Sequence, residues 1–139
     1  PEEARCEVDV RFASQQDAHE VLGKIAECAR AAEQAVSGTR IDLEGGVQRL
    51  PWERQDASVA LCAEYAACQK HAGLGFGEAG PVGGGSDANT VGALGVPTID
   101  GLGPRGAGFH TRDEYIELSS LLPKAEALLR FLCSRWREP

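Results

Sequence analysis

The sequence of 139 residues has no methionine at all and no CxxC pair, and it holds only three histidines. It also has no long apolar run. Each absence excludes something. Without methionine, Pro1 is not a translation start, and the chain is expected to be a piece of a longer protein. Without paired cysteine spacings, a zinc-thiolate site has no framework. The five cysteines (Cys6, Cys28, Cys62, Cys68 and Cys133) are an odd number, mostly at apolar-periodic positions. They are expected to be reduced, packed thiols of a cytoplasmic protein. No stretch approaches the roughly 20 apolar residues of a membrane-spanning helix, and no signal-peptide pattern opens the chain. Basic charge is scarce too: 14 Lys and Arg against 21 Asp and Glu leave a net charge of −7. That balance argues against a nucleic-acid partner, which needs a basic face.

What is present reads as an α/β protein. Residues 5–13 alternate, with Cys6, Val8, Val10 and Phe12 on one face, and predict a strand. Ser14, with Asp17 three residues on, predicts a capped helix start; Ala18, Val21, Leu22, Ile25, Ala29 and Ala32 mark its apolar stripe. Residues 39–44 alternate again and predict a second strand. The turn-rich segment 45–55 is a candidate boundary. A helix over about 56–72, a short helix over 86–95, a strand over 96–102 and a terminal helix over 119–136 follow. In the last of these, Leu121, Leu122, Ala125, Leu128, Leu129 and Leu132 are expected to face the core.

Several motifs fail on inspection. GFGEAG (75–80) has no strand before it, and GLGPRG (101–106) has no helix after it, so neither makes a dinucleotide site. There is no HExxH, and His19 and His71 share no metal spacing with His110. There is no GxSxG elbow for a serine nucleophile. Three other features remain open. In VGGGSDAN (82–89), three glycines run into a helix start, either an anion pocket or a flexible loop with a Ser/Asp cap. His110 closes the glycine stretch GPRGAGFH and precedes Asp113 and Glu114. It is a metal ligand, a general acid–base group or an ordinary surface histidine. Arg11 and Arg49 are either solvated or a clamp on a carboxylate, the anion a guanidinium fits best.

Taken in order, VDVRF (8–12), GGGSDAN (83–89) and GVPTIDGLGPRGAGFHTRDEYIEL (95–118) resemble the zinc-dependent amidohydrolases. These include bacterial glutamate carboxypeptidase, acetylornithine deacetylase, succinyl-diaminopimelate desuccinylase and aminoacylase, and the glutamate carboxypeptidase branch looks most similar. The resemblance implies half of a βαββαβ lid (dimerisation) domain over residues 1–52. It implies the C-terminal part of an α/β zinc-peptidase catalytic domain over 53–139. It further implies two zinc ions in the parent, with His110 as the one ligand in this chain. By the same resemblance Arg11, Arg49, Gly85 and Ser86 bind substrate, while Asp87 and Glu114 hold supporting positions. Leu50 stands where the family usually has a proline. The family's remaining metal ligands and its general base have no counterpart here, so no catalytic group is assigned in this chain. The implied parent cleaves an amide bond beside a free carboxylate, and the isolated chain is expected to be inactive. The implied partners are a substrate with a free carboxylate and a second copy bound through the lid. The alternatives are an N-acyl amino acid deacylase or deacetylase, and a noncatalytic dimerising module.

Overall fold

The computed structural model describes residues 2–136. It contains α1 (Gln15–Ala35), α2 (Asp56–His71), α3 (Asp87–Gly92), β1 (Gly106–Ala107), β2 (Tyr115–Ile116) and α4 (Leu118–Arg135). The chain divides into two compact units. One holds the chain up to Glu53 together with Val82–Leu94; the other holds Arg54–Pro81 and the chain from Gly95 onward.

In the first unit, α1 starts where its capping signal predicts. Ser14 Oγ accepts from Asp17 N at 3.0 Å, and Ser14 N donates to Asp17 Oδ2 at 3.1 Å. Two of the amides a helix start leaves orphaned are thereby satisfied. Ala18 is the buried residue of this helix. The short helix α3 repeats the device: Ser86 Oγ accepts from Ala88 N, and Ser86 N donates to Asn89 Oδ1.

The strands expected over 5–13 and 39–44 do not form. Neither segment has regular structure or joins a sheet among the described residues. The alternation survives only in part: Val10 and Phe12 are half-buried, but Val8 is 70% exposed. A period-two pattern fixes which side chains share a face, whereas a strand also needs a neighbour to take its backbone hydrogen bonds.

The second unit is built on α2 against α4. Tyr65, Leu74, Ala127 and Phe131 form its buried cluster, flanked by Leu61, Cys68, Ala72, Ile99, Leu102 and Leu128. The Tyr65 and Phe131 rings meet edge to face, 5.5 Å apart at 83°, a favourable quadrupole arrangement. Ala127, fully buried beside them, lets α4 approach closely. The helix therefore turns Ser120, Ala127 and Phe131 inward, and the leucine stripe expected to be core lies largely outside: Leu121, Leu122, Leu129 and Leu132 are exposed. Helix α4 carries two apolar faces, and ring packing decides which one is used. The segment 96–102 is also not a strand; Thr98 N donates instead to the buried Ser58 Oγ at 3.1 Å. The cysteines are not the packed thiols the sequence suggested: Cys62 and Cys68 are half-buried, and Cys6, Cys28 and Cys133 are exposed. No helix among the described residues is long and apolar enough to cross a membrane.

Candidate functional site

The residues singled out in the sequence gather in two places, one in each unit. In the first unit they meet at the glycine loop before α3. Arg11 Nη1 donates to Gly83 O at 2.8 Å, and Arg49 Nη1 donates to Ser86 O at 3.1 Å. Arg49 Nη2 also lies 3.8 Å from Asp87 Oδ1, and a side chain at Gly85 would start 3.5 Å from Arg49 Nη1. Arg11, Arg49, Gly85, Ser86 and Asp87 thus share one locus, although 72 and 37 positions separate the two arginines from their carbonyl partners. Both guanidiniums stay in contact with solvent, at 69% and 49% side-chain exposure. Asp9 Oδ2 accepts from Arg11 Nε at 3.4 Å. Ser86 is placed differently from the simplest expectation: its hydroxyl and its amide are both engaged in capping α3.

In the second unit, His110 sits in the loop of a small hairpin. β1 and β2 pair antiparallel, Gly106 opposite Ile116 and Ala107 opposite Tyr115. The base is closed three times. Glu117 N donates to Arg105 O at 2.8 Å, Arg105 N donates to Ser120 Oγ at 2.9 Å, and Ser120 Oγ donates to Glu117 O at 2.6 Å. Two glycines are sterically required here. A Cβ at Gly106 would collide with the Tyr115 carbonyl, and one at Gly108 (φ +73°) would lie 2.7 Å from Asp113 O. His110 itself has φ 64° and is the only non-glycine among the described residues with positive φ. A β-carbon in that region is disfavoured, although histidine enters it more readily than most residues. Thr111 pins the turn, donating from both N and Oγ1 to Gly108 O, and its own Oγ1 accepts from Asp113 N. Glu114 Oε2 accepts from the His110 amide at 3.3 Å. The supporting acid therefore orients the loop backbone rather than the imidazole.

The sequence model of peptidase family M20/M25/M40 matches residues 6–134. The chain belongs to this peptidase family. Comparison with curated proteins and with solved structures gives no match. M20 peptidases are generally metal-dependent hydrolases, so the donor set of this M20 chain is the relevant test. Among the described residues no group of three or more His, Cys, Asp or Glu side chains comes together. His110 is exposed, and the acid nearest in sequence that contacts it does so through the backbone. A hydrolytic zinc needs about three protein ligands, and the described residues of this M20 chain bring no such set together.

Four residues of the two sites escape sequence reasoning. Gly83 is held through its carbonyl, which no side-chain pattern reports. Asn89 completes the cap of α3, and the Ser86-x-x-Asn89 spacing was a usable signal for it. Ser120 is buried beneath the hairpin but reads in sequence as one polar residue in a leucine helix. Trp52, in the LPWER segment, packs against α3 at Gly92.

Proposed function

We propose that this chain supplies the carboxylate-recognition elements and one metal ligand, His110, of a dizinc M20 hydrolase. The reaction is cleavage of an amide bond next to a free carboxylate, of the glutamate carboxypeptidase kind. The observation that carries this reading is the convergence of Arg11 and Arg49 on a single glycine loop. A guanidinium has five donors. Each arginine uses some of them to grip a loop carbonyl and an aspartate and remains open to solvent. Two such groups flanking Gly83–Ser86 suit a substrate carboxylate, which a planar fork binds bidentately. Asp9 and Asp87 hold the forks in place, and their charges keep the pair from being a general anion trap. In this assignment Gly85 gives the substrate close access, and Ser86 frames the loop as the cap of α3. His110 is presented by a hairpin whose turn needs Gly106 and Gly108.

The reading includes a homodimer formed through residues 1–52. The alternating segments 5–13 and 39–44, which join no sheet among the described residues, would pair with a second copy. Residues outside this chain complete the metal site, so the 139-residue chain alone should be inert. The test is a substrate panel with zinc added, run on this chain and on the longer protein that carries it. Hydrolysis of N-acylated and peptidyl glutamate by the longer protein only, with poor turnover of carboxamide analogues, supports the proposal. Appreciable zinc-dependent hydrolysis by the chain alone overturns the assignment of the missing ligands. Preference for acetylated amino acids of other kinds would place the protein among the deacylases.

A further inference from the structure

We propose that Trp52 and Gly92 form a steric clamp that fixes the glycine loop against Arg49, making Trp52 a positioning residue for carboxylate recognition. The inference rests on the carboxylate-binding reading above and adds a determinant to it. It starts from a glycine with no conformational reason to be there. Gly92 lies in the last turn of α3, and its φ is not positive, unlike Gly95 just beyond the helix. Alanine is the better helix former at such a position. What excludes alanine is the indole. A Cβ at Gly92 would lie 2.5 Å from Trp52 Nε1 and 2.8 Å from Cγ. Gly92 is buried and Trp52 half-buried, so the ring covers this end of the helix.

The clamp matters because of what lies three residues earlier. Arg49 grips the other end of the same helix, at Ser86 O and Asp87. From Ser86 to Gly92 is about 9 Å at a rise of roughly 1.5 Å per residue. Three residues, from Arg49 to Trp52, can reach at most about 10 Å. The segment therefore meets α3 at both ends, with the buried Pro51 stiffening the part between. Fixing one end with the indole sets the register of the guanidinium at the other. Displacing the ring shifts Arg49 relative to Gly85 and so weakens its hold on a substrate carboxylate, a contact whose strength depends on the two-pronged geometry of the guanidinium.

The test uses the metal-loaded full-length protein, assayed on an N-acylated glutamate, with Arg49→Ala, Gly92→Ala, Trp52→Leu and the Trp52→Leu/Gly92→Ala pair. The expected result is a KM about tenfold higher for Gly92→Ala with kcat within about twofold, the signature of lost binding rather than lost chemistry. The pair should be no worse than Trp52→Leu alone, because alanine at 92 is harmful only while the indole is there. A general loss of helix stability would not show that rescue. If Gly92→Ala does not fold, Trp52→Leu, which removes bulk instead of adding it, carries the same KM comparison. An unchanged KM in Gly92→Ala and Trp52→Leu, with a raised KM in Arg49→Ala, overturns the clamp and leaves the carboxylate reading standing. An unchanged KM in Arg49→Ala overturns the carboxylate reading. Hydrogen exchange at the Ser86–Asn89 amides then decides the clamp alone: faster exchange in Trp52→Leu upholds it, and unchanged exchange overturns it.

Discussion

Replacing His110 with glycine should make the protein more stable while removing the side chain proposed to bind metal. His110 holds φ 64° in the hairpin loop. A β-carbon in the left-handed region costs roughly 1–2 kcal/mol. Glycine removes that cost, and its greater freedom in the unfolded chain returns about 0.5–1 kcal/mol of it. The net gain is roughly 0–1.5 kcal/mol for His110→Gly, centred near 0.75. His110→Ala keeps the β-carbon and the strain, loses the imidazole, and gains nothing. The two variants thus separate side-chain chemistry from backbone cost. Thermal melts of wild type, His110→Gly and His110→Ala in the absence of metal provide the assay, with an expected rise of about 2–4 °C for the glycine variant. Because Glu114 binds the His110 amide and not the ring, neither substitution removes that contact. A His110→Gly protein that melts at or below His110→Ala would show that the loop stores no such strain. The reasoning that ties this backbone to function would then fail.

Two further outcomes follow from the second unit. Burial, with a smaller contribution from Cys68, raises the pKa of Tyr65, and its hydroxyl has no hydrogen-bond partner among the described residues. The unfolded chain therefore releases this proton first, near pH 10, and the stability from neutral Tyr65 is lost as pH rises through the higher folded value. Melts from pH 8 upward should show that decline, and Tyr65→Phe should flatten it at little cost at neutral pH. Ser120→Ala deprives the Arg105 amide of its acceptor beneath the hairpin, which should cost about 1–3 kcal/mol in denaturant unfolding and speed exchange at Arg105 and Glu117.

Helix starts were the most legible part of the sequence, because caps are local. Ser14 with Asp17 and Ser86 before Asp87 act within three residues. Pairing and facing were less legible because both are tertiary. Residues 5–13 have a strand's alternation without a strand's partner. In α4 the leucines outnumber the residues that build the core, yet Ala127 and Phe131 are chosen by the fit to Tyr65. The family was legible from motif resemblance, and the family match over residues 6–134 agrees with it. The geometry of the candidate site was not. Nothing in the spacing of Arg11 and Arg49 reveals that both reach carbonyls of one loop. Nor does it reveal that the Ser86 hydroxyl is already used as a cap, or that Glu114 serves the backbone of His110.

The central claim is that the Arg11–Arg49 locus recognises a substrate carboxylate. The most direct measurement compares Arg11→Ala and Arg49→Ala in the metal-loaded full-length protein, on a glutamate-bearing substrate and its carboxamide analogue. Each guanidinium–carboxylate contact is worth about 1.5–3 kcal/mol, or roughly 10- to 150-fold in KM at 1.4 kcal/mol per decade. The account predicts a rise of that order for the carboxylate substrate, with both variants nearly equal to wild type on the carboxamide. Equal losses on the two substrates, or none on either, would contradict it.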